Sequence, residues 1–238
     1  MSSNTFTKEN LDTYLKELAK EFKKLSGKST PAEIVLVGGA AVLTNYGFRD
    51  MTMDIDAVIH ATSAMKDAIN RIGDKYDLPN GWLNADFMQT GSYSPKLDEF
   101  SVYYKSFSGI LFVRTVAAEY LIAMKLRSGR KYKNDLSDVI GILAEHEKRG
   151  TPITFKQVDT AVCDLYGDWD DFPEDSKPFI EKAIKAGHFE EIYASIRSGE
   201  LESRNILIDF EKAYPQVAKE SNVNDILASL KAKRSEKE

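Results

Sequence analysis

The chain is poor in the residues that build metal clusters and disulfides. It has one cysteine, Cys163, and three histidines, His60, His146 and His188. A lone thiol cannot close an internal disulfide, and no Cys or His grouping has the spacing of a zinc site. Long apolar runs are also missing. No stretch approaches the ~20 residues that span a bilayer, and the opening MSSNTFTKENLDTYL lacks the apolar core of a signal peptide. These absences lead us to expect a cytoplasmic protein with no membrane partner. An excess of positive charge is missing too: 32 Lys and Arg stand against 37 Asp and Glu, a net charge of −5. That balance excludes a general DNA-coating protein. What remains is ordinary for a folded protein, with 238 residues, 42% hydrophobic and 29% charged. The length suits one large domain, or one domain with a smaller companion.

Hydrophobic spacing predicts a helix over 8–24, with Leu11, Leu15, Leu18 and Phe22 on one face. A Gly/Ser/Pro break follows at 26–31. EIVLVGG, 33–39, reads as a buried strand that turns into a helix over 40–46, and MDIDAVIHA as a second strand. A helix is expected over 63–76, a long loop over 77–95, a hairpin from 99–105 and 110–116, and helices over 117–128 and 134–148. Beyond Gly150–Pro152 five helices are expected, over 155–166, 176–186, 189–199, 201–213 and 223–231, with a frayed tail KAKRSEKE. The expected organisation is an N-terminal helix (1–30), a mixed α/β (α+β) core (31–149) and a helical C-terminal region (150–238). Charge divides at the same place. Residues 1–150 hold 20 basic against 19 acidic residues; residues 151–238 hold 12 against 18.

The stretch Val35–Val58 carries the chemistry. Gly38-Gly39 ends one strand and Asp54-Ile55-Asp56 lies in the next, 16 residues on from Gly38 to Asp54. On a strand, residues i and i+2 share a face. Asp54 and Asp56 therefore project together, with Met53, Ile55 and Ala57 opposite. Paired carboxylates repel, and a divalent cation such as Mg²⁺ or Mn²⁺ relieves that repulsion while leaving positions for phosphate oxygens. A glycine pair lets a triphosphate approach the backbone of the following helix.

Hydrophobic-Gly-Gly, a short helix and then Asp-hydrophobic-Asp resembles the signature of the DNA polymerase beta-type nucleotidyltransferase superfamily. The form Val37-Gly38-Gly39-Ala40, Arg49, Thr52-Met53-Asp54-Ile55-Asp56 is similar to small bacterial nucleotidyltransferases that include abortive-infection toxins. EYLIAMKLRSGRKYKNDLSD, 119–138, resembles a second motif of that group. The resemblance covers 33–145. It implies a nucleotidyltransferase-type mixed sheet flanked by helices, with Gly38, Gly39, Arg49 and Thr52 near the phosphates of an NTP. It further implies metal on Asp54 and Asp56, a phosphate contact from Lys125 and a functional acid at Asp135. NMP would pass from the NTP to a hydroxyl on RNA such as tRNA, on a protein or on a small molecule. A toxin or defence role, with an antitoxin partner, belongs to the same resemblance.

Several readings stay open at this point. The third carboxylate is Asp135, favoured here, or Asp138 or Glu99. Asp135 and Asp138 also suit a helix N-terminus, Lys125 suits a snorkelling core lysine, and Arg49 can pair with Asp50. The basic run Arg127, Arg130, Lys131, Lys133 suits a solvated face or a phosphate guide. Tyr93, Tyr103, Tyr104, Trp82 and Trp169 are expected in the core or at interfaces, and Cys163 as a buried small group. Two other functions compete: a degenerate nucleotidyltransferase fold that binds nucleotides or proteins, and a haloacid-dehalogenase-type phosphatase, whose nucleophile motif Asp54–Val58 also fits.

Overall fold

The structure is a computed structural model and describes residues 5–27, 30–219 and 222–235. Helix α1 (Lys8–Ser26) opens with a capping box. Asn10 N–H donates to Thr7 Oγ1, and Thr7 N–H donates to Asn10 Oδ1. Its four expected apolar residues are fully buried. Strand β1 (Ala32–Leu36) leads directly into α2 (Gly38–Asn45), so both glycines lie in the helix's first turn rather than before it. Strand β2 (Ile55–His60) and helix α3 (Ala64–Tyr76) follow. The expected loop 77–95 contains a short strand, β3 (Leu83–Asn84), and a 3-10 turn at Asp86–Gln89. Strands β4 (Ser101–Phe107) and β5 (Leu111–Val116) form the expected hairpin. Its turn residues Ser108 and Gly109 both have positive φ, which matches the twist of the strands.

The sheet runs β3-β2-β1-β5-β4. β1 is antiparallel to β2 and parallel to β5; β2 is parallel to β3, and β4 antiparallel to β5. It is a mixed five-stranded sheet flanked by helices, as expected. Alternation along the strands builds two cores. Ile34, Leu36, Ile55, Ala57 and Val113 meet α1 and α3 on one face. Val35, Val37, Val58 and Val116 face the other way. There they meet α4 (Ala118–Ser128), α5 (Asp135–Lys148), α6 (Phe155–Tyr166) and α7 (Ser176–Ala186). The two helices expected over 189–213 are one helix, α8 (Phe189–Ala213), which passes through Gly199 unbroken. The next residue, Glu200, is buried against α5, and that anchor offsets the poor helix propensity of the glycine. Helix α9 (Val223–Ser235) takes in most of the tail expected to be frayed; residues 236–238 lie outside those described.

Three side chains depart from expectation. Cys163 is exposed, because α6 buries Val158, Ala161, Val162 and Leu165 and turns 163 outward. Tyr103 is 65% exposed on the edge strand β4. Met53 is 67% exposed, because β2 begins only at Ile55 and strand alternation does not reach it. Among the described residues, no helix is long and apolar enough to cross a membrane.

Candidate active site

The end of β1 and the start of β2, two inner strands, meet at one end of the sheet. Leu36 pairs with Ala57, and Val37 N–H donates to the Asp56 carbonyl at 3.0 Å. This register sets Gly38 beside Asp56. Gly38 has φ +54°, where L side chains are strained, and a Cβ there would stand 3.6 Å from Asp56 Oδ2. Gly39 is closed in more tightly. A Cβ there would lie 2.6 Å from Thr52 Oγ1 and 2.9 Å from Arg49 Nη2. The N-cap of α2, Val37, supplies no side-chain acceptor, so side chains leave the first amides of α2 uncapped.

Asp54 is exposed just ahead of β2, and Asp56 is half-buried within it. Burial first, and then the neighbouring Asp54 charge, push Asp56 up to about 6; Lys133 and Arg130 pull the other way. A third acid also raises it. β3 lies parallel to β2 with Asn84 opposite Asp56, so the chain leaves β3 and brings Asp86 to the same cavity. Sequence reasoning missed Asp86, because a two-residue strand inside a loop has no periodicity to read. The available signal was Trp82-Leu83, apolar residues directly before Asn84-Ala85-Asp86.

Glu99 stands elsewhere. It is exposed in the turn that leads into β4, the far edge strand from β2, and lines neither cavity described below. Asp135 and Asp138 are buried and committed to cations. Lys125 Nζ lies 3.0 Å from Asp135 Oδ1 and 2.8 Å from Asp138 Oδ2. Arg130 Nε lies 2.7 Å from Asp135 Oδ2, and Arg49 Nη1 2.5 Å from Asp138 Oδ2. Arg49 therefore pairs across the fold rather than with Asp50; its Nε donates to the Met51 carbonyl. The result is an alternating chain, Arg49–Asp138–Lys125–Asp135–Arg130. Burial works against charge on Lys125, but Asp138 and Asp135 outweigh it and hold its pKa above the ordinary value. Burial likewise works against Asp135, yet Lys125 and Arg130 bring it down to about 2. Both Asp135 oxygens accept from these cations, and Asp86 lines one cavity with Asp54 and Asp56.

The basic run is no bare strip. Arg127 reaches Asp171 and lies over Tyr166 and Phe172, and Lys131 pairs with Asp175. Helix α8 completes the site, which sequence reasoning left out entirely. Glu200 accepts from Leu136 N–H and Ser137 N–H, each at 3.1 Å, and from the Ser137 hydroxyl. Arg197 and Arg204 both donate to Asn134 Oδ1.

Two cavities open from the aspartates. One, of about 410 Å³, runs past Asp86, Phe87, Ser92, Met124 and Arg127. The other, of about 650 Å³, runs past Gly39, Arg49, Thr52, Tyr193, Arg197 and Arg204. Gly38, Asp54, Asp56, Lys125, Arg130, Lys133 and Asp135 line both. All eight residues expected in the site from sequence therefore line this double cleft. Its donor set is hard carboxylate oxygen, the chemistry that suits Mg²⁺ or Mn²⁺. Among the described residues no three acid, His or Cys side chains form a group that could hold a metal ion.

Strand β2 begins at Ile55, so of the two aspartates expected on it only Asp56 is strand-borne, and it is Asp56 that lies beside Gly38. A family model described as a nucleotidyltransferase of unknown function (DUF6036) matches residues 13–145, more than half of the chain. The chain belongs to this family. No curated protein and no solved structure matches it significantly. Membership in the nucleotidyltransferase family removes the phosphatase reading. The sheet agrees: Asp54 precedes, and Asp56 lies near the start of, a strand antiparallel to β1, whereas sites on doubly wound parallel sheets lie at the carboxyl ends of strands. The matched segment ends within α5, so α8, with the three residues Arg197, Glu200 and Arg204 that it sets against 132–138, lies outside it.

Proposed function

We propose that the protein transfers an NMP group from an NTP to a hydroxyl acceptor. The observation that carries this reading is the packing of Gly38 against Asp56 across the β1–β2 register, with Asp54 and Asp86 on the same cavity. Asp54 and Asp56, joined by Asp86, would hold a divalent cation, Mg²⁺ or Mn²⁺. Such a cation supplies Lewis-acid stabilisation of the polyphosphate and makes an acceptor hydroxyl more acidic. The chain itself does the rest. Gly38 and Gly39 let the phosphates reach the backbone of α2. Lys125, Arg49 and Arg130, fixed by Asp135 and Asp138, place positive charge where the transition state gathers negative charge. In the reaction the acceptor oxygen bonds to the α-phosphorus as the P–O bond to the β-phosphate breaks. Pyrophosphate leaves with the bond pair, and the acceptor proton goes to water.

Purified protein with Mg²⁺ and each α-³²P-NTP is expected to label an acceptor, with RNA, protein and small-molecule fractions supplied separately. Asp54→Ala and Asp56→Ala are expected to abolish labelling. Mg²⁺-dependent NTP binding without transfer in any fraction would favour the degenerate, nucleotide-binding reading instead. A toxin role with an antitoxin partner predicts growth arrest on expression that Asp54→Ala relieves.

A further inference from the structure

The larger cavity gathers guanidinium groups. Arg49 is matched by Asp138. Arg197 meets Asn134 Oδ1 and reaches Glu200 Oε2 only at 4.0 Å. Arg204 donates Nη2 to Asn134 Oδ1 at 2.7 Å and Nε to the Tyr132 carbonyl at 3.4 Å, both neutral acceptors. Among the described residues no carboxylate stands within ion-pair distance of Arg204. Burial, followed by the charges of Arg197 and Arg49, holds its pKa below the usual arginine value, although Glu200 opposes the shift. Three cations thus converge in a concave site where their repulsion is only partly offset. Such an arrangement favours an anion with several oxygens, and arginine forks suit phosphate oxygens. The same cavity contains Gly39, Thr52, Asp54 and Asp56. The smaller cavity contains none of Arg49, Arg197 or Arg204. It has an apolar wall of Val37, Phe87, Leu121 and Met124, and its Arg127 is already paired with Asp171.

We propose that Arg197 and Arg204 of α8 bind the β- and γ-phosphates of the donor nucleotide. The polyphosphate then lies in the larger cavity and the acceptor enters through the smaller one, past Asp86. This assignment rests on the nucleotidyltransferase reading. It also gives the helical region beyond the matched segment a direct part in substrate binding. Because the same arginines hold Asn134, their contact with phosphate has to be separated from support of α5.

The test is binding of three probes to the full chain with Mg²⁺: the non-hydrolysable α,β-methylene-ATP, inorganic tripolyphosphate and AMP. Arg197→Ala and Arg204→Ala are each expected to weaken the ATP analogue and tripolyphosphate by about tenfold or more. AMP, which lacks the β- and γ-phosphates, is expected to stay within twofold of wild type. Arg204→Lys, which keeps the charge, should recover part of the loss, and Arg204→Gln, which keeps a hydrogen-bond donor for Asn134, should not. Equal losses for AMP and the ATP analogue would overturn the proposal, because they indicate a purely structural role. Unchanged binding of all three probes would overturn it as well. Wild-type protein that binds tripolyphosphate through these arginines but no nucleotide would keep the polyphosphate site and remove the nucleotidyltransferase reading.

Discussion

Glu200 accepts hydrogen bonds from both the backbone N–H and the hydroxyl of Ser137. A helix deep in the C-terminal region thereby satisfies the first turn of α5, the helix that carries Asp135 and Asp138. Each buried donor left unmatched costs about 1–3 kcal/mol. Glu200→Ala strands the N–H groups of Leu136 and Ser137, while the Ser137 hydroxyl keeps the Asn134 carbonyl, and chemical unfolding should show a loss of at least that size. Burial pushes the Glu200 carboxyl up to about 7 against the pull of Ser137. A carboxyl raised in the folded state binds its proton more tightly there than in the unfolded chain. Its contribution is therefore complete below about 4.5 and is lost as pH rises through 7. Thermal midpoints measured from pH 4.5 to 8 should fall across that window, and the fall should flatten in Glu200→Gln.

Asp86 and Glu99 separate two accounts of the third carboxylate. Asp86 faces Asp54 and Asp56 across one cavity, and Glu99 is exposed near the opposite edge of the sheet. Asp86→Asn should lower NMP transfer by about a hundredfold or more, the scale expected when a group that stabilises transition-state charge is removed. Glu99→Gln should transfer at near the wild-type rate. Initial-rate kinetics at saturating NTP decide the matter, and a large loss in Glu99→Gln with a small one in Asp86→Asn would reverse the assignment.

Gly39 tests the closeness of the glycine turn. A Cβ there would meet the side chains of Thr52 and Arg49 at 2.6 and 2.9 Å. Arg49 can swing its tip away, but Thr52 is buried and its backbone pairs with Phe6 in both directions, so it has little room to give. Gly39→Ala should therefore displace Arg49 from Asp138. The expected result is an NTP KM raised by about tenfold with stability lowered by about 1–3 kcal/mol, the range for overpacking.

Much of this was legible in the sequence, for identifiable reasons. Strands β1, β2 and β5 are short apolar runs, and helices α1, α6 and α7 follow a hydrophobic period and each end at a glycine. The eight expected site residues sit in two compact motifs, and local spacing could bring each motif together. What escaped depends on long-range pairing. Asp86 is placed by a two-residue strand that exists only because β2 is beside it. The isolated pairing of Phe6 with Thr52 joins segments 46 residues apart. Arg197, Glu200 and Arg204 look like ordinary polar residues of a surface helix, and only the docking of α8 on α5 turns them toward the site. Cys163 shows the converse error, for apolar neighbours in sequence do not share its side of the helix.

Lys125 is the centre of the buried charge chain, and its removal gives a two-part outcome. Lys125→Met leaves Asp135 and Asp138 without their shared partner, but Asp135 keeps Arg130 and Asp138 keeps Arg49. Breaking a buried pair costs about 3–5 kcal/mol when the remaining charge is stranded. Here the remaining arginines place the cost at the lower end of that range. Wild-type protein should also lose about 2 kcal/mol as pH falls from 4 towards 2. Asp135 is held down to about 2, and a depressed carboxyl contributes stability above its unfolded pKa that disappears on protonation. In Lys125→Met the Asp135 pKa is closer to the unfolded value, so less stability remains to be lost in that window. Adding Asp135→Asn and Asp138→Asn to Lys125→Met should restore part of the stability at pH 7 and none of the transfer activity. Urea midpoints at pH 7, 4 and 2.5, taken beside the transfer assay, check both halves. Recovery of activity in the triple variant would show that Lys125 acts only as a partner for the two acids and makes no contact with phosphate.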